Sequence, residues 1–190
     1  LLRQYDTISI YKTKEVVMIK LSIVIPIYNE ETLLQTVFKR FKNLVEQIQN
    51  RCGIEKSKIE LIFVNDGSTD QSLSQLIDFA NKNRYVMCIN LARNFGHQLA
   101  ITAGINASSG DAVVVIDGDL QDPPEFIINL YQKHQEGVDV VYAIRKRRFG
   151  ESWFKLLTAR CFYKIISLLS NTDIIQNVGD FRLMSRRVVD

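Results

Sequence analysis

Cysteine is scarce in this sequence and forms no recognisable pattern. The three cysteines, Cys52, Cys88 and Cys161, lie far apart and include no Cys-x-x-Cys pair. Their number and spacing support neither a disulfide framework nor a zinc site. We therefore expect a reducing compartment, with Cys88 and Cys161 acting as small hydrophobic side chains within apolar runs.

Long apolar runs and a large charge imbalance are also missing. No stretch of about 18 uncharged apolar residues occurs, so the sequence predicts no membrane-spanning helix, and no signal peptide opens it. The formal net charge is +3, which is too small to indicate a nucleic-acid-binding protein. The 190 residues, 46% of them hydrophobic, instead predict a soluble protein with one principal domain and a full core.

Glycine-rich phosphate-binding motifs are absent too. Neither Gly-x-Gly-x-x-Gly after the first apolar run nor Gly-x-x-x-x-Gly-Lys-Ser/Thr occurs, which excludes the usual dinucleotide-binding and P-loop signatures. A bound phosphate would have to be met by a metal ion and by arginine. Arg145 is the candidate because its forked guanidinium suits a diphosphate. Alternatively, Arg145 belongs to a solvated or lipid-facing basic patch at residues 145–148.

Apolar, β-branched segments alternate with segments of helical spacing from residue 21 onward. The predicted strands are 21–27, 59–64, 86–91, 112–116 and 138–143, and the predicted helices are 30–49, 70–80, 97–107 and 125–135. This alternation predicts an α/β, Rossmann-like, mostly parallel sheet with helices on both faces and right-handed connections. Residues 1–20 form an N-terminal extension, in which residues 7–11 are either an added edge strand or an ordered extension.

Two aspartates follow the fourth predicted strand, one residue apart. Side chains at positions i and i+2 of an extended chain point to the same side, so Asp117 and Asp119 can bind one cation while Gly118 leaves room for a ligand. Magnesium is often held by one or two carboxylates together with substrate phosphates. The alternative is that both acids cap a helix opened by Pro123 and Pro124.

Polar clusters at residues 26–30, 65–70 and 117–121 all follow predicted strands. Ligands of open α/β sheets bind at the carboxyl ends of the strands, so these clusters predict a common site. Asp66 can accept hydrogen bonds from a base or ribose hydroxyl, and Gly67 permits a close turn; the alternative is an ordinary turn and helix cap. We expect His97, at a loop-to-helix junction, to be structural rather than catalytic.

The segment at residues 153–170 differs from the predicted helices before it. It is apolar over most of its circumference but carries three interspersed cations, Lys155, Arg160 and Lys164. This composition suits an amphipathic helix at a membrane interface, where a preceding basic cluster favours anionic headgroups. Burial against the sheet or a partner, including a second copy in a homo-oligomer, is an equal alternative.

Several ordered motifs resemble the family 2 glycosyltransferases of the polyprenyl-phosphate branch, such as dolichyl-phosphate mannose synthases and bactoprenol glucosyltransferases. The resemblance runs from about residue 21 to the end, through Pro26-x-Tyr-Asn-Glu30, Asn65-Asp-Gly-Ser-Thr-Asp70, Leu91-Ala-Arg-Asn-Phe-Gly-His97, Asp117-Gly-Asp-Leu-Gln-Asp-Pro-Pro124, Gly150-Glu-Ser152 and Val178-Gly-Asp-Phe-Arg-Leu183. It implies a glycosyltransferase-A fold that uses Mg²⁺ or Mn²⁺ to pass a hexose, with inversion, from a nucleotide-diphosphate sugar to a polyprenyl phosphate.

The resemblance also implies residue roles. Nucleotide-sugar contacts fall to Pro26, Tyr28, Glu30, Val64, Asp66 and Gly118, metal ligation to Asp117, Asp119 and Gln121, the diphosphate contact to Arg145, and the acceptor side to Asp180 and Arg182. Asp119 and Asp180 are the implied catalytic residues, with Asp180 the family's candidate base. The implied layout is a catalytic core at 21–148 and an acceptor-side segment at 149–190, at the cytoplasmic membrane face and cut before transmembrane helices.

The chemistry of the acceptor leaves the role of Asp180 open. A phosphate monoester has its second pKa near about 6, so a lipid phosphate is already mostly dianionic at neutral pH and needs little activation. Asp180 then either orients the acceptor or a metal, or removes a proton. A soluble or polysaccharide acceptor, or an idle nucleotide-binding or membrane-recruitment domain, are the alternatives, and the sequence does not decide between uridine and guanosine donors.

Overall fold

A six-stranded mixed sheet organises the part of the chain that this computed structural model describes, residues 18–144 and 178–190. The strands are β1 (Leu21–Ile27), β2 (Ile59–Asn65), β3 (Val86–Asn90), β4 (Ala112–Val115), β5 (Val140–Ile144) and β6 (Val178–Ser185). The α-helices are α1 (Leu34–Cys52), α2 (Ser72–Lys82), α3 (His97–Ala107), α4 (Ile127–Gln135) and α5 (Arg186–Val189). Short 3₁₀ turns lie at Lys56–Lys58 and Pro124–Phe126.

The strand order is β3-β2-β1-β4-β6-β5. The pairs β1–β2, β1–β4 and β2–β3 are parallel, whereas β6 is antiparallel to both β4 and β5. The prediction of a mostly parallel sheet is therefore confirmed, but β6 was not predicted. Its apolar residues Phe181 and Leu183 are buried, yet Asp180 and Arg182 break the apolar run that marks the other central strands.

Helices cover both faces of the sheet, as predicted. On one face α1, α2 and α4 pack over the side chains of β1, β2 and β4 in the larger core cluster. On the other face Ala100 and Ile101 of α3 pack against Val24 and Val64. Gly104 brings α3 close to β1, because a Cβ at this position would clash with Val24. The central strand β1 is buried along its whole length.

The loops after β1 and β2 bind each other, and both following helices start later than predicted. The backbone N–H of Asn29 donates to the Ser68 hydroxyl at 3.0 Å, and the Asn29 side-chain oxygen accepts the N–H of Thr69 at 2.8 Å. Ser68 therefore braces the neighbouring loop instead of capping α2. Asn29 has a left-handed φ of 53°, and α1 starts only at Leu34, whose N–H donates to the Glu30 carbonyl.

Some sequence predictions concern residues outside the described ranges. Arg145, Cys161, the strand at residues 7–11 and the helix at residues 153–170 fall there. Cys52 and Cys88 are free thiols. Among the described residues, no helix combines the length and apolar character needed to cross a bilayer.

An aromatic cluster joins α1 and α2 to β2. The Phe63 ring is fully buried and meets Phe38, Phe41 and Phe79 edge-on, at centroid distances of 5.8, 6.0 and 5.9 Å. Phe38 also stacks on Phe79 at 4.1 Å. Aromatic pairs of this kind contribute about 0.5–1.5 kcal/mol each beyond their buried area.

We expect Phe63→Ala to lower the free energy of unfolding by about 3–5 kcal/mol, because it leaves a cavity lined by three other rings. Urea unfolding of the chain measures the change. Ile77→Ala on α2 is the control, since its side chain is 45% exposed and its loss should cost no more than about 0.5 kcal/mol. Equal effects of the two substitutions would contradict the central role of the Phe63 ring.

Candidate active site

A pocket of about 350 Å³ opens at the carboxyl ends of β1, β2 and β4. It is lined by Pro26, Ile27, Tyr28, Glu30, Asp66, Asn94, Gly96, His97, Ala100, Asp117, Gly118 and Asp119. The structure therefore brings together seven of the residues that the sequence singled out, from three separate loops. Their gathering follows from the parallel pairing of the strands, and their roles remain predictions.

Four other predicted residues lie outside this lining, namely Val64, Gln121, Asp180 and Arg182. Val64 is fully buried in the core under α3, and Gln121 is exposed and donates its backbone N–H to Asp119 Oδ1 at 3.0 Å. Arg182 lies on β6 and is paired with Asp180, with 3.7 Å between Nη1 and Oδ1. Arg145 lies outside the described residues.

The turn after β4 holds the two aspartates. Leu120 within it has a left-handed φ of 59°, a conformation that is costly for a branched side chain. At Gly118 a Cβ would clash with the end of the Ile27 side chain and lie 3.1 Å from the Pro26 carbonyl oxygen, so the close approach of β1 favours glycine here. The Pro124–Phe126 turn has Pro123 at its N-cap and no side-chain cap. The alternative that Asp117 and Asp119 cap this element is therefore wrong.

Asp66 fixes the amino end of α3. Its side chain is 3% exposed, and its two oxygens accept the backbone N–H groups of Phe95 at 2.8 Å and Gly96 at 3.0 Å. Gly67 has a φ of +65°, and a Cβ there would clash with the backbone of Arg93. A carboxylate so held is rigid as well as accessible from the pocket, so the first contribution of Asp66 is to position the loop before α3.

His97 lies between two acids, a position that sequence reasoning missed. Its Nε2 is 3.1 Å from Asp180 Oδ2 and 3.3 Å from Asp117 Oδ1. One feature of the sequence could have pointed to His97. It ends a motif that directly follows the third predicted strand, and the predicted site lies at the carboxyl ends of the strands. The identity of its partners was not available, because Asp180 is 83 residues away in sequence.

Negative charge is concentrated around Asp117. Burial raises the pKa of this carboxyl group, and so do Asp119, Asp180 and Asp122, while His97 opposes the shift. The pKa of Glu30 is raised by burial and then by Asp119 and Asp70. A bound cation would relieve this repulsion and favour the ionised form of Asp117.

The donor set fits a divalent cation that also takes phosphate oxygens. Oδ1 of Asp117 is buried and accepts no hydrogen bond, although His97 Nε2 lies 3.3 Å from it. Within residues 18–144 and 178–190, no group of three or more His, Cys, Asp or Glu side chains forms a complete metal cage. Asp117 and Asp119 thus suit the mode in which two carboxylates hold Mg²⁺ or Mn²⁺ and the substrate completes the coordination.

We expect Asp117→Asn to stabilise the metal-free chain at neutral pH, because it removes a partly buried charge repelled by its neighbours. Since the side chain is 36% exposed and solvent screens the repulsion, the gain should not exceed about 1 kcal/mol. Urea unfolding in EDTA measures this gain. The raised pKa means that the ionised form destabilises the fold above that pKa, so the gain should shrink as the pH falls toward 4. The exposed Asp78→Asn is the control. A loss of stability in Asp117→Asn would contradict the description of Asp117 as strained.

Comparisons with known proteins agree with this geometry. The family model described as glycosyl transferase family 2 matches residues 22–190. An uncharacterised glycosyltransferase of Synechocystis sp. is 49% identical over 90% of this chain and 52% of its own length. The prophage bactoprenol glucosyl transferase homolog of Escherichia coli is 40% identical over 90% of this chain and 54% of its own length. The chain thus spans about half the length of the curated relatives it matches.

A solved structure shares the fold. Glucosyl-3-phosphoglycerate synthase from Mycobacterium tuberculosis, in complex with Mn²⁺, uridine diphosphate and glucosyl-3-phosphoglycerate, superposes with a TM-score of 0.59 and 22% identity, over 89% of this chain and 57% of the synthase. The named relatives are in line with the resemblance to the polyprenyl-phosphate branch. The family model covers most of the sequence, and the solved structure shares the glycosyltransferase-A fold. The chain therefore belongs to glycosyl transferase family 2.

Proposed function

We propose that this chain carries the catalytic core of an inverting, metal-dependent hexosyltransferase. It would move a hexose from a nucleotide-diphosphate sugar to a polyprenyl phosphate at the cytoplasmic face of a membrane. The observation that carries the proposal is the acidic pocket at the carboxyl ends of β1, β2 and β4, with a buried oxygen on Asp117 that accepts no hydrogen bond.

The donor side of the proposal rests on the loops after β1 and β2. Tyr28 lines the pocket with its ring 46% exposed, available to stack on a base. Pro26, Glu30 and Asp66 line the same pocket. Val64 would contribute its backbone, since its side chain is buried under α3. The mycobacterial synthase of the same fold binds uridine diphosphate with Mn²⁺, which supports a nucleotide in this position.

Departure of the nucleotide diphosphate is the step that needs stabilisation. Asp117 and Asp119 would hold Mg²⁺ or Mn²⁺, with Gln121 assisting from the same turn. When bound, the metal supplies a Lewis acid for the charge that develops on the diphosphate. Arg145 would add a bidentate contact to the same charge. His97 and Glu30 border this region of the pocket.

On the acceptor side, the nucleophile is an oxygen of the lipid phosphate. It would attack the anomeric carbon on the face opposite the diphosphate; the new carbon–oxygen bond forms as the bond to the diphosphate breaks, which inverts the configuration. Arg182, which is paired with Asp180 on β6, would bind that phosphate, and Asp180 would orient it through Arg182. The acceptor is mostly dianionic at neutral pH, so we assign Asp180 an orienting role first.

The membrane location rests on sequence and on the relatives. The basic cluster at residues 145–148 and the apolar segment at residues 153–170 have the composition of an interfacial anchor. Relatives are named bactoprenol glucosyl transferases, and bactoprenol phosphate is a membrane lipid acceptor of the proposed class.

We expect Asp119→Ala to abolish metal-dependent nucleotide binding. Asp117 would then be the only carboxylate that holds the cation, and the cation in turn binds the diphosphate. Isothermal titration of the chain with uridine and guanosine diphosphate sugars, each with Mn²⁺ and with EDTA, measures binding and identifies the base. The exposed Asp78→Ala variant should bind as the unaltered chain does. Unchanged affinity in Asp119→Ala would refute the metal assignment.

We expect the sugar to appear on a polyprenyl phosphate when membranes containing the protein at its native length receive a radiolabelled nucleotide sugar. Extraction into organic solvent measures the product, since a glycosylated lipid phosphate partitions there. EDTA should reduce transfer to background, and excess Mg²⁺ or Mn²⁺ should restore it. Label that stays in water-soluble oligosaccharide would contradict the lipid acceptor and favour a soluble or polysaccharide one.

A further inference from the structure

Two side chains in the first turn of α3 converge on one oxygen of Asp180. His97 Nε2 and Gln98 Nε2 each lie 3.1 Å from Asp180 Oδ2. The other oxygen, Oδ1, faces Arg182 Nη1 at 3.7 Å. The Asp180 carboxylate is therefore held from both sides by groups of two different elements, although its side chain is 27% exposed.

The convergence follows from how β6 enters the sheet. The antiparallel register with β4 pairs Val115 with Arg182, and its continuation by two residues puts Asp180 opposite Asp117. Without further contacts a partly exposed aspartate at a strand end would sample several rotamers. Contacts from α3 remove that freedom.

The amino end of α3 is itself rigid. Asp66 binds the two backbone N–H groups that precede the helix, Ala100 and Ile101 are buried, and Gly104 packs directly on Val24. His97 and Gln98 thus project from an element whose position is set by the donor-side strand β2. The start of α3 therefore connects Asp66, on the donor side of the pocket, with Asp180.

We infer that His97 and Gln98 are positioning residues that fix the Asp180 carboxylate for the incoming acceptor. This inference rests on the proposed function, in which Asp180 orients the lipid phosphate. Neither residue needs to touch substrate or exchange a proton in this role. Their contribution is to keep Oδ2 in one place, so that Oδ1 holds Arg182 in a constant geometry for the acceptor phosphate.

Gln98 is the cleaner probe of the two. His97 Nε2 also lies 3.3 Å from Asp117 Oδ1, so its substitution affects the metal-binding carboxylate as well. In the described part of the chain, the Gln98 side-chain amide donates to Asp180 and to no other acid. A change at Gln98 therefore reports on Asp180 alone.

The test is steady-state transfer to polyprenyl phosphate by the native-length protein in membranes, with donor binding measured separately by titration of the chain. Gln98→Leu, which keeps a side chain of similar bulk and removes the donor, should lower kcat about tenfold while the donor KM and donor affinity stay within about twofold. Gln98→Glu should be worse than Gln98→Leu, because a second carboxylate repels Asp180. His97→Gln, which keeps a donor near the Nε2 position, should retain more activity than His97→Ala.

Gln35→Leu is the matched control. Its amide makes a comparable hydrogen bond, to Gln75 at 2.8 Å on the far side of the sheet from α3, and its loss should leave kcat unchanged. A purely structural role for Gln98 would make glutamate the milder replacement, since it is polar and nearly isosteric. Higher activity in Gln98→Leu than in Gln98→Glu would therefore indicate that Gln98 acts through the Asp180 carboxylate.

Three results overturn the inference. They are wild-type kcat in Gln98→Leu, a parallel loss of donor affinity, and greater activity in Gln98→Glu than in Gln98→Leu. Each leaves the proposed function standing, because the unaltered protein still transfers sugar in the same assay. If the unaltered protein transfers no sugar to a lipid phosphate, the proposed function is wrong and the positioning role fails with it.

Discussion

The pairing of β6 with β4 is the constraint on which the site depends. Strand β4 ends in the turn that carries Asp117 and Asp119, and β6 runs antiparallel beside it with Arg182 opposite Val115. The inserted strand brings Asp180 and Arg182 from a distant part of the sequence, and Asp180 contacts His97, which lines the pocket.

Repulsion between negative charges is concentrated around Asp117 in this arrangement. Asp117 is partly buried, its pKa is raised by burial and by three neighbouring acids, and one of its oxygens has no hydrogen-bond partner. Such a group destabilises the fold unless a cation or proton compensates it. The rest of the sheet tolerates this cost because β1, β2 and β4 are buried between helices on both faces. A stable framework thus supports a locally unstable acidic cluster.

Helix α3 connects the two halves of the pocket. Asp66, at the end of β2, holds the backbone before the helix, and His97 and Gln98 in its first turn hold Asp180. The sequence placed Asp66 at the site as a ligand contact, whereas the structure gives both of its oxygens to the loop that positions α3. His97 was expected to be structural. The structure instead places its Nε2 in contact with both Asp117 and Asp180, two of the residues predicted for the site.

The amino-acid sequence alone determined the alternating strands and helices, the location of the site at the carboxyl ends of the strands, and the turn that carries Asp117 and Asp119. It could do so because the spacing of apolar residues and the polar residues at strand ends are local properties. Residue-level motifs also identified the family correctly. The helix starts were displaced, since the Asn29–Ser68 and Asn29–Thr69 bonds use side chains that otherwise cap helices. Strand β6 and the meeting of His97 with Asp180 were decided only by tertiary structure, because strand order and contacts between residues 83 positions apart depend on packing that no local pattern records.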